Sequence, residues 1–158
     1  MNSSEEEMKY RFMDDALRQA ERALEHDEVP VGCVIVYQNK VIAKAYNQTK
    51  TLKDPTAHAE IIAITQAAAY FEHERLLDTE LYSTVEPCVM CLGAIIQARI
   101  PKVFFGAPNE KYGACGSVVD IMKEGRWNHH TTIEKGLELD RCRGLMQAFF
   151  QAKRAKLQ

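Results

Sequence analysis

Nowhere in these 158 residues does an apolar run approach the roughly 20 residues that a membrane-crossing helix requires. Nor does the chain open on the apolar stretch of a secretory leader: MNSSEEEMKYRF is polar and acidic. Both absences point to a cytoplasmic protein with no membrane partner. An excess of charge is lacking as well, since 20 Lys and Arg against 22 Asp and Glu leave a formal charge of −2 and no whole-molecule attraction for polyanions. No internal repeat, low-complexity tract or linker divides residues 1–158, so one domain is expected, and 46% hydrophobic content suffices for a continuous core. Five cysteines, an odd number in a chain without a secretory leader, argue against a disulfide framework and for metal binding or buried thiols.

Hydrophobic periodicity predicts an amphipathic helix over residues 8–26, with Met8, Phe12, Ala16, Leu17, Ala20, Ala23 and Leu24 on one face. VPVGCVIVY at 29–37 is apolar on both alternations, as in a strand covered on both faces, and Gln38-Asn39 turns it into a second strand over 40–46. Residues 47–54 form a polar stretch. Asp54-Pro55-Thr56 starts a helix whose Ala- and Ile-rich body, 57–71, is expected to be buried. A strand over 81–85 stops at Glu86-Pro87 before a helix over 88–98, and a further strand covers 102–105. A loop over 106–116, a short helix over 117–123 and a last strand over 131–135 follow. In the closing helix Cys142, Leu145, Met146, Phe149 and Phe150 form one apolar stripe, expected to pack on the sheet. This order of elements implies an α/β protein with a mixed sheet between helical layers.

Charge is unevenly placed. Arg141, Arg143, Lys153, Arg154 and Lys156 follow one another with no acid after Asp140, a basic face that the net charge hides.

Two segments carry chemistry, His58-Ala59-Glu60 and Pro87-Cys88-Val89-Met90-Cys91, with 26 residues between Glu60 and Pro87. Residues three apart share one face of a helix, so Cys88 and Cys91 aim both sulfurs at one point. Two thiolates and an imidazole suit Zn2+ and leave a fourth tetrahedral position for water, the mark of catalytic rather than closed structural zinc. Helix N-termini at both segments lower the thiol pKa values, and zinc brings its water within reach of hydroxide at neutral pH. Glu60 is poorly placed as a further ligand and well placed as a proton shuttle. Hydrolytic deamination needs one, to take a proton from water, give one to the ring nitrogen and give one to departing ammonia. A Cys-x-x-Cys pair also serves redox proteins and structural zinc, but neither requires the His-x-Glu partner. Cys33 and Cys142 fall on apolar patterns and are expected in the core; Cys115 lies in a loop.

His-x-Glu followed by Pro-Cys-x-x-Cys is the signature of zinc base deaminases. Together with Glu28-Val29-Pro30-Val31-Gly32, Asn47, Asp54-Pro55-Thr56-Ala57, Thr84-Val85-Glu86, Phe105-Gly106-Ala107, Asn128-His129 and Phe149-Phe150, it makes the chain resemble the bacterial tRNA-specific adenosine deaminases of the cytidine deaminase-like superfamily. The resemblance covers nearly the whole chain. It implies a three-layer α/β/α fold with a five-stranded mixed sheet, one Zn2+ per subunit on His58, Cys88 and Cys91, and Glu60 as the catalytic residue. It also implies a homodimer, with the 88–98 helix at its surface, that converts the wobble adenosine of a tRNA anticodon stem-loop to inosine. Carried over by position, Asn47 holds the flipped adenine, Val29, Pro30 and Val31 wall the pocket, and Ala59 offers backbone contacts. Asn109, Lys111, Phe150, Lys153 and Arg154 then meet the RNA.

At one position the chain departs from that pattern. The family usually carries an acid where Asn109 follows Pro108, and an amide there keeps a hydrogen-bonding group for a ribose 2′-OH without repelling phosphate. Single-stranded DNA is therefore expected to be a better side substrate than in relatives carrying the acid. Tyr112 stands where the family tends to have small residues. Two rivals remain at this level: a free-base or nucleotide deaminase acting on guanine or cytosine, and a non-catalytic RNA-binding zinc module.

Overall fold

In chain order the elements are α1 (Ser3–Glu25), β1 (Gly32–Tyr37), β2 (Lys40–Tyr46), α2 (Thr49–Leu52), α3 (Ala59–Phe71), β3 (Thr79–Val85), α4 (Val89–Gln97), β4 (Lys102–Ala107), α5 (Ile121–Glu124), β5 (Thr132–Lys135) and α6 (Leu139–Lys156). They are taken from a computed structural model that describes residues 3–157. The strands form one mixed sheet in the order β2-β1-β3-β4-β5, with β1 antiparallel to both neighbours and β3, β4 and β5 mutually parallel.

Strand alternation builds the two cores. Cys33 and Ile35 of β1 point to the side covered by α3 and α4, where they meet Ala63, Ala67, Leu92 and Ile95. Val34 and Val36 point to the opposite side and meet Phe12, Met13, Ala16 and Leu17 of α1 and Cys142 of α6. Both faces are dry, as the uninterrupted apolar run predicts. Burying a side chain such as Met13 or Leu17, each at most 2% exposed, contributes about 1.5–3 kcal/mol.

Two glycines set how closely helices approach. A Cβ at Gly32 would overlap the carbonyl oxygen of Ala16 and lie 2.5 Å from the nitrogen of Ala20, so α1 lies on the start of β1 because position 32 has no side chain. At Gly106 a Cβ would strike Cys142 and come 2.9 Å from the carbonyl oxygen of Thr84, which seats α6 on β4.

Several expectations require correction. The first strand begins at Gly32 and not at 29, because Val31 donates its N–H to the Val29 carbonyl at 2.8 Å across Pro30, which has no N–H to give a ladder. The polar stretch 47–54 contains α2, whose first turn is held by a remote carboxylate: Glu28 accepts from the N–H groups of Lys50 (3.2 Å) and Thr51 (2.6 Å) and from the Thr51 hydroxyl (2.7 Å). The helix expected to be buried over 57–71 hides Ala59, Glu60, Ala63 and Ala67 but leaves Ile61, Ile62 and Ile64 half-buried. Finally, the apolar stripe of α6 packs on the sheet only at its beginning. Cys142 is buried, whereas Phe150 is 42% exposed. An 18-residue helix spans about 27 Å and outruns the 6-residue β4 beneath it, so its second half projects past the sheet.

Candidate active site

β3 and β4 are parallel neighbours, with Val85 paired to Ala107, so the segments leaving their carboxyl ends start side by side. One leads to Cys88 and the other into the 108–117 loop. His58 and Cys88 both occupy N-cap positions in extended conformation, at the starts of α3 and α4. Their side chains therefore converge: His58 Nδ1 lies 3.7 Å from Cys88 Sγ and 3.4 Å from Cys91 Sγ, and the three candidate ligand atoms all fall within 4.8 Å of one another.

The spacing matches a metal. A nitrogen at about 2.05 Å and a sulfur at about 2.3 Å from one tetrahedral zinc stand about 3.6 Å apart, the separation seen here. Among the described residues this is the group of three or more His, Cys, Asp or Glu side chains that could hold a metal ion. Protonation separates Cys88 from the other cysteines. A hydrogen bond from Cys91, assisted by His58, lowers the Cys88 pKa to about 4, while Cys91, which shares that proton, is raised. Burial pushes Cys115 and Cys142 up to about 12, and they stay protonated. His58 is raised by its hydrogen bond with Cys88.

Glu60 sits in the first turn of α3, 4% exposed, on the floor of a cavity of about 880 Å³, within the roughly 300–1,000 Å³ range of small-molecule sites. Burial raises its carboxyl above the usual range, against the opposing pull of a backbone N–H and of His58.

Of the residues expected around the substrate, Val29, Val31, Asn47, Asn109, Lys111, Phe150 and Arg154 line this cavity together with His58, Glu60 and Cys88. Pro30, Ala59 and Lys153 do not. Pro30 and Ala59 are buried behind the wall, and Lys153 turns away to bond Asp27 at 2.8 Å. Asn47 is 7% exposed; its backbone N–H bonds Val31, and its side chain takes no hydrogen bond from the described residues. Asn109 uses its side-chain oxygen to accept the Tyr112 N–H at 3.1 Å, so the amide NH2 is the end left for a ligand. The expected five-cation face is also reduced, because Arg141 is paired with Asp14 and Glu138 as Lys153 is with Asp27.

Sequence reasoning missed Glu86. The residue is 2% exposed, and its carboxylate accepts from the N–H groups of Asn109 (3.1 Å), Cys115 (2.9 Å) and Ser117 (3.2 Å) and from the Ser117 hydroxyl, fixing the loop that rims the cavity. The available signal was an acid at the end of an apolar strand, directly before Pro87. Arg143, Met146 and Tyr112 also line the cavity without having been singled out for it.

Residues 6–107 match the family model described as the cytidine and deoxycytidylate deaminase zinc-binding region. Over 156 residues, 99% of this chain and 98% of the relative, the sequence is 44% identical to a tRNA-specific adenosine deaminase of Streptococcus pyogenes. The chain belongs to the tRNA-specific adenosine deaminase family. A second member, from Aquifex aeolicus, is 43% identical over 90% of this chain and 94% of its own. Among solved structures, one from a study of A-to-I editing by tRNA:A34 deaminases superposes with a TM-score of 0.83 at 41% identity, covering 85% of this chain and 98% of that one. Membership in this family makes the protein a zinc-dependent deaminase, on the three-layer α/β fold of its structural neighbour.

Proposed function

We propose that this chain converts adenosine to inosine at the wobble position of a tRNA anticodon stem-loop. The observation that carries the reading is the placement of Asn47, its side-chain amide free of partners among the described residues, in the same cavity as Glu60 and the His58-Cys88-Cys91 group. An amide is both donor and acceptor and matches the polar edge of a purine. The names of relatives identical at 43–44% over nearly the whole chain point to the same substrate.

In this reading His58 Nδ1 and the sulfurs of Cys88 and Cys91 hold the zinc. When bound, the zinc supplies a Lewis acid that makes water nucleophilic at neutral pH. The chain's own residues do the rest. Asn47 pins the flipped adenine, with Val29 and Val31 against its face. Glu60 takes one proton of the attacking water and passes it to the ring nitrogen beside C6, then takes the water's second proton and gives it to the amino group, which leaves as ammonia. Water is consumed and ammonia released, with no net change of charge on the carboxylate. Lys111, Arg143 and Arg154 at the rim meet phosphates.

We extend the reading to a cytoplasmic homodimer. Val89 and Met90 on α4 are 55% and 36% exposed, an apolar face for a second copy. Among the described residues no helix is long and apolar enough to cross a membrane.

The test is inosine formation in an anticodon stem-loop bearing a wobble adenosine, beside free adenosine, guanine, cytosine and a DNA version of the loop, with Glu60→Ala as control. Conversion of the RNA loop, abolished in the Glu60 variant, supports the assignment. An unchanged loop with ammonia released from a free base leaves the zinc chemistry standing and removes the tRNA reading. Undiminished function in Glu60→Gln would indicate an RNA-binding zinc module. The DNA arm also tests position 109: Asn109→Asp should lower DNA conversion relative to RNA, and equal DNA activity in the two proteins would remove that expectation.

A further inference from the structure

Tyr112 is 69% exposed, the most exposed aromatic side chain among the described residues, yet it lines the cavity that holds Glu60. Its backbone is fixed. The Tyr112 N–H donates to Asn109 Oδ1 at 3.1 Å, Gly113 donates to the Asn109 carbonyl at 2.8 Å, and the Asn109 N–H is itself held by Glu86 at 3.1 Å. The ring is therefore presented on a preformed turn, while its hydroxyl and both faces meet no hydrogen-bond or ring partner among the described residues. Phe150 lines the same cavity from α6, 42% exposed, its ring set edge-on against Phe149 at 5.2 Å.

Aromatic faces beside unpaired cations form the chemistry that recognises unstacked nucleotides. Bases stack on the rings while Lys and Arg follow the phosphates. Here Lys111 adjoins Tyr112, and Arg143 and Arg154 line the same cavity with no ion-pair partner among the described residues. The target base has its own place at the floor, with Asn47 and Glu60. Tyr112 belongs to the rim, where a free base or mononucleotide would leave it unused.

We infer that Tyr112 is a stacking platform for the base next to the target adenosine, and that it sets this enzyme's preference at that neighbouring position. The inference rests on the proposed anticodon substrate.

The experiment measures kcat and KM for wild type, Tyr112→Phe and Tyr112→Ala. The substrates are wobble-adenosine stem-loops in which each neighbouring nucleotide in turn is a purine, a pyrimidine or abasic. Tyr112→Ala should lose about 5- to 100-fold in kcat/KM on intact loops, mainly through KM, with Phe restoring it. Making the correct neighbour abasic should bring wild type and Tyr112→Ala within about twofold, because the partner of the stack is then gone. Conversion of the loops with no effect of Tyr112→Ala, or a loss as large on abasic loops as on intact ones, would overturn the inference alone. A loss that persists on abasic loops with a change in oligomeric mass would assign the ring to a protein interface instead, and also overturns it. Failure of wild type to convert any loop would remove the tRNA reading and this inference with it.

Discussion

The carboxylate of Glu86 accepts the backbone N–H of Asn109 at 3.1 Å, so the residue that follows β3 holds the loop that leaves β4. Three further donors converge on it, from Cys115 and Ser117. Glu86→Gln replaces one acceptor oxygen by an NH2 group facing a backbone N–H. The Ser117 hydroxyl can rotate to accept, but the Asn109 N–H cannot, so one buried donor is stranded at a cost of about 1–3 kcal/mol. Urea unfolding should show that loss. KM for the stem-loop should rise as well, because Asn109, Lys111 and Tyr112 ride on this loop; a purely global effect would leave KM untouched.

Two glycine substitutions should move stability in opposite directions. Gly32→Ala drives a methyl group into the backbone of α1 at Ala16 and Ala20, and neither strand nor helix can yield without disturbing the core. A loss of about 1–3 kcal/mol or more is expected. Gly144 lies inside α6 with no left-handed backbone, and a Cβ added there would meet nothing within 4 Å. Gly144→Ala should add about 0.5–1 kcal/mol by restricting the unfolded chain. Thermal unfolding of both variants checks the pair, and a neutral Gly32→Ala would mean that α1 is not seated as described.

Much of this was legible in the sequence, for identifiable reasons. The double-sided apolar run around Cys33 to Val36 announces a covered strand, because period two is a property of the strand itself. His58, Cys88 and Cys91 declare a metal by donor type. Glu28 and Glu86 were not legible, because each acts by accepting N–H groups from 22 to 31 residues away in the chain, and no local pattern records that. Periodicity showed that α6 has an apolar stripe but not where the sheet under it ends. For Phe150 that difference turned a core residue into a rim residue.

Acid sensitivity should be concentrated at the turn before β1. Hydrogen bonds from Lys153 and then Lys50 lower the Asp27 pKa to about 2. Glu28 next to it is buried, which alone would raise its carboxyl, but the bonds from Thr51 and Lys50 outweigh burial and hold it below the usual value. Both groups are depressed in the folded state, so both contribute stability above the unfolded carboxylate values of about 4 and lose it as pH falls below them. Wild type should therefore weaken from about pH 4 downward. Asp27→Asn should flatten part of that decline, and its effect should fade in high salt because the Asp27 pair is exposed. Glu28→Gln should flatten more of it, with little dependence on salt. Urea unfolding between pH 7 and pH 2 at two ionic strengths distinguishes these outcomes.

Salt dependence should report how many cations the RNA meets. Counting the five C-terminal cations with Lys111 predicts six phosphate contacts, and at roughly 0.7 to 0.9 per contact the logarithm of binding would fall with a slope of about −4 to −5 against the logarithm of salt. The structure reduces that number. Arg141 is engaged with Asp14 and Glu138, Lys153 is engaged with Asp27, Lys156 at the end of α6 does not line the cavity, and the cations that do are Lys111, Arg143 and Arg154. Three contacts give a slope of about −2 to −3. Arg143→Ala and Arg154→Ala should each reduce it by a little under one, whereas Arg141→Ala should leave it alone. A slope near −5 that drops on removal of Arg141 or Lys153 would mean that tRNA pulls these side chains out of their ion pairs and that α6 is gripped along its whole exposed length.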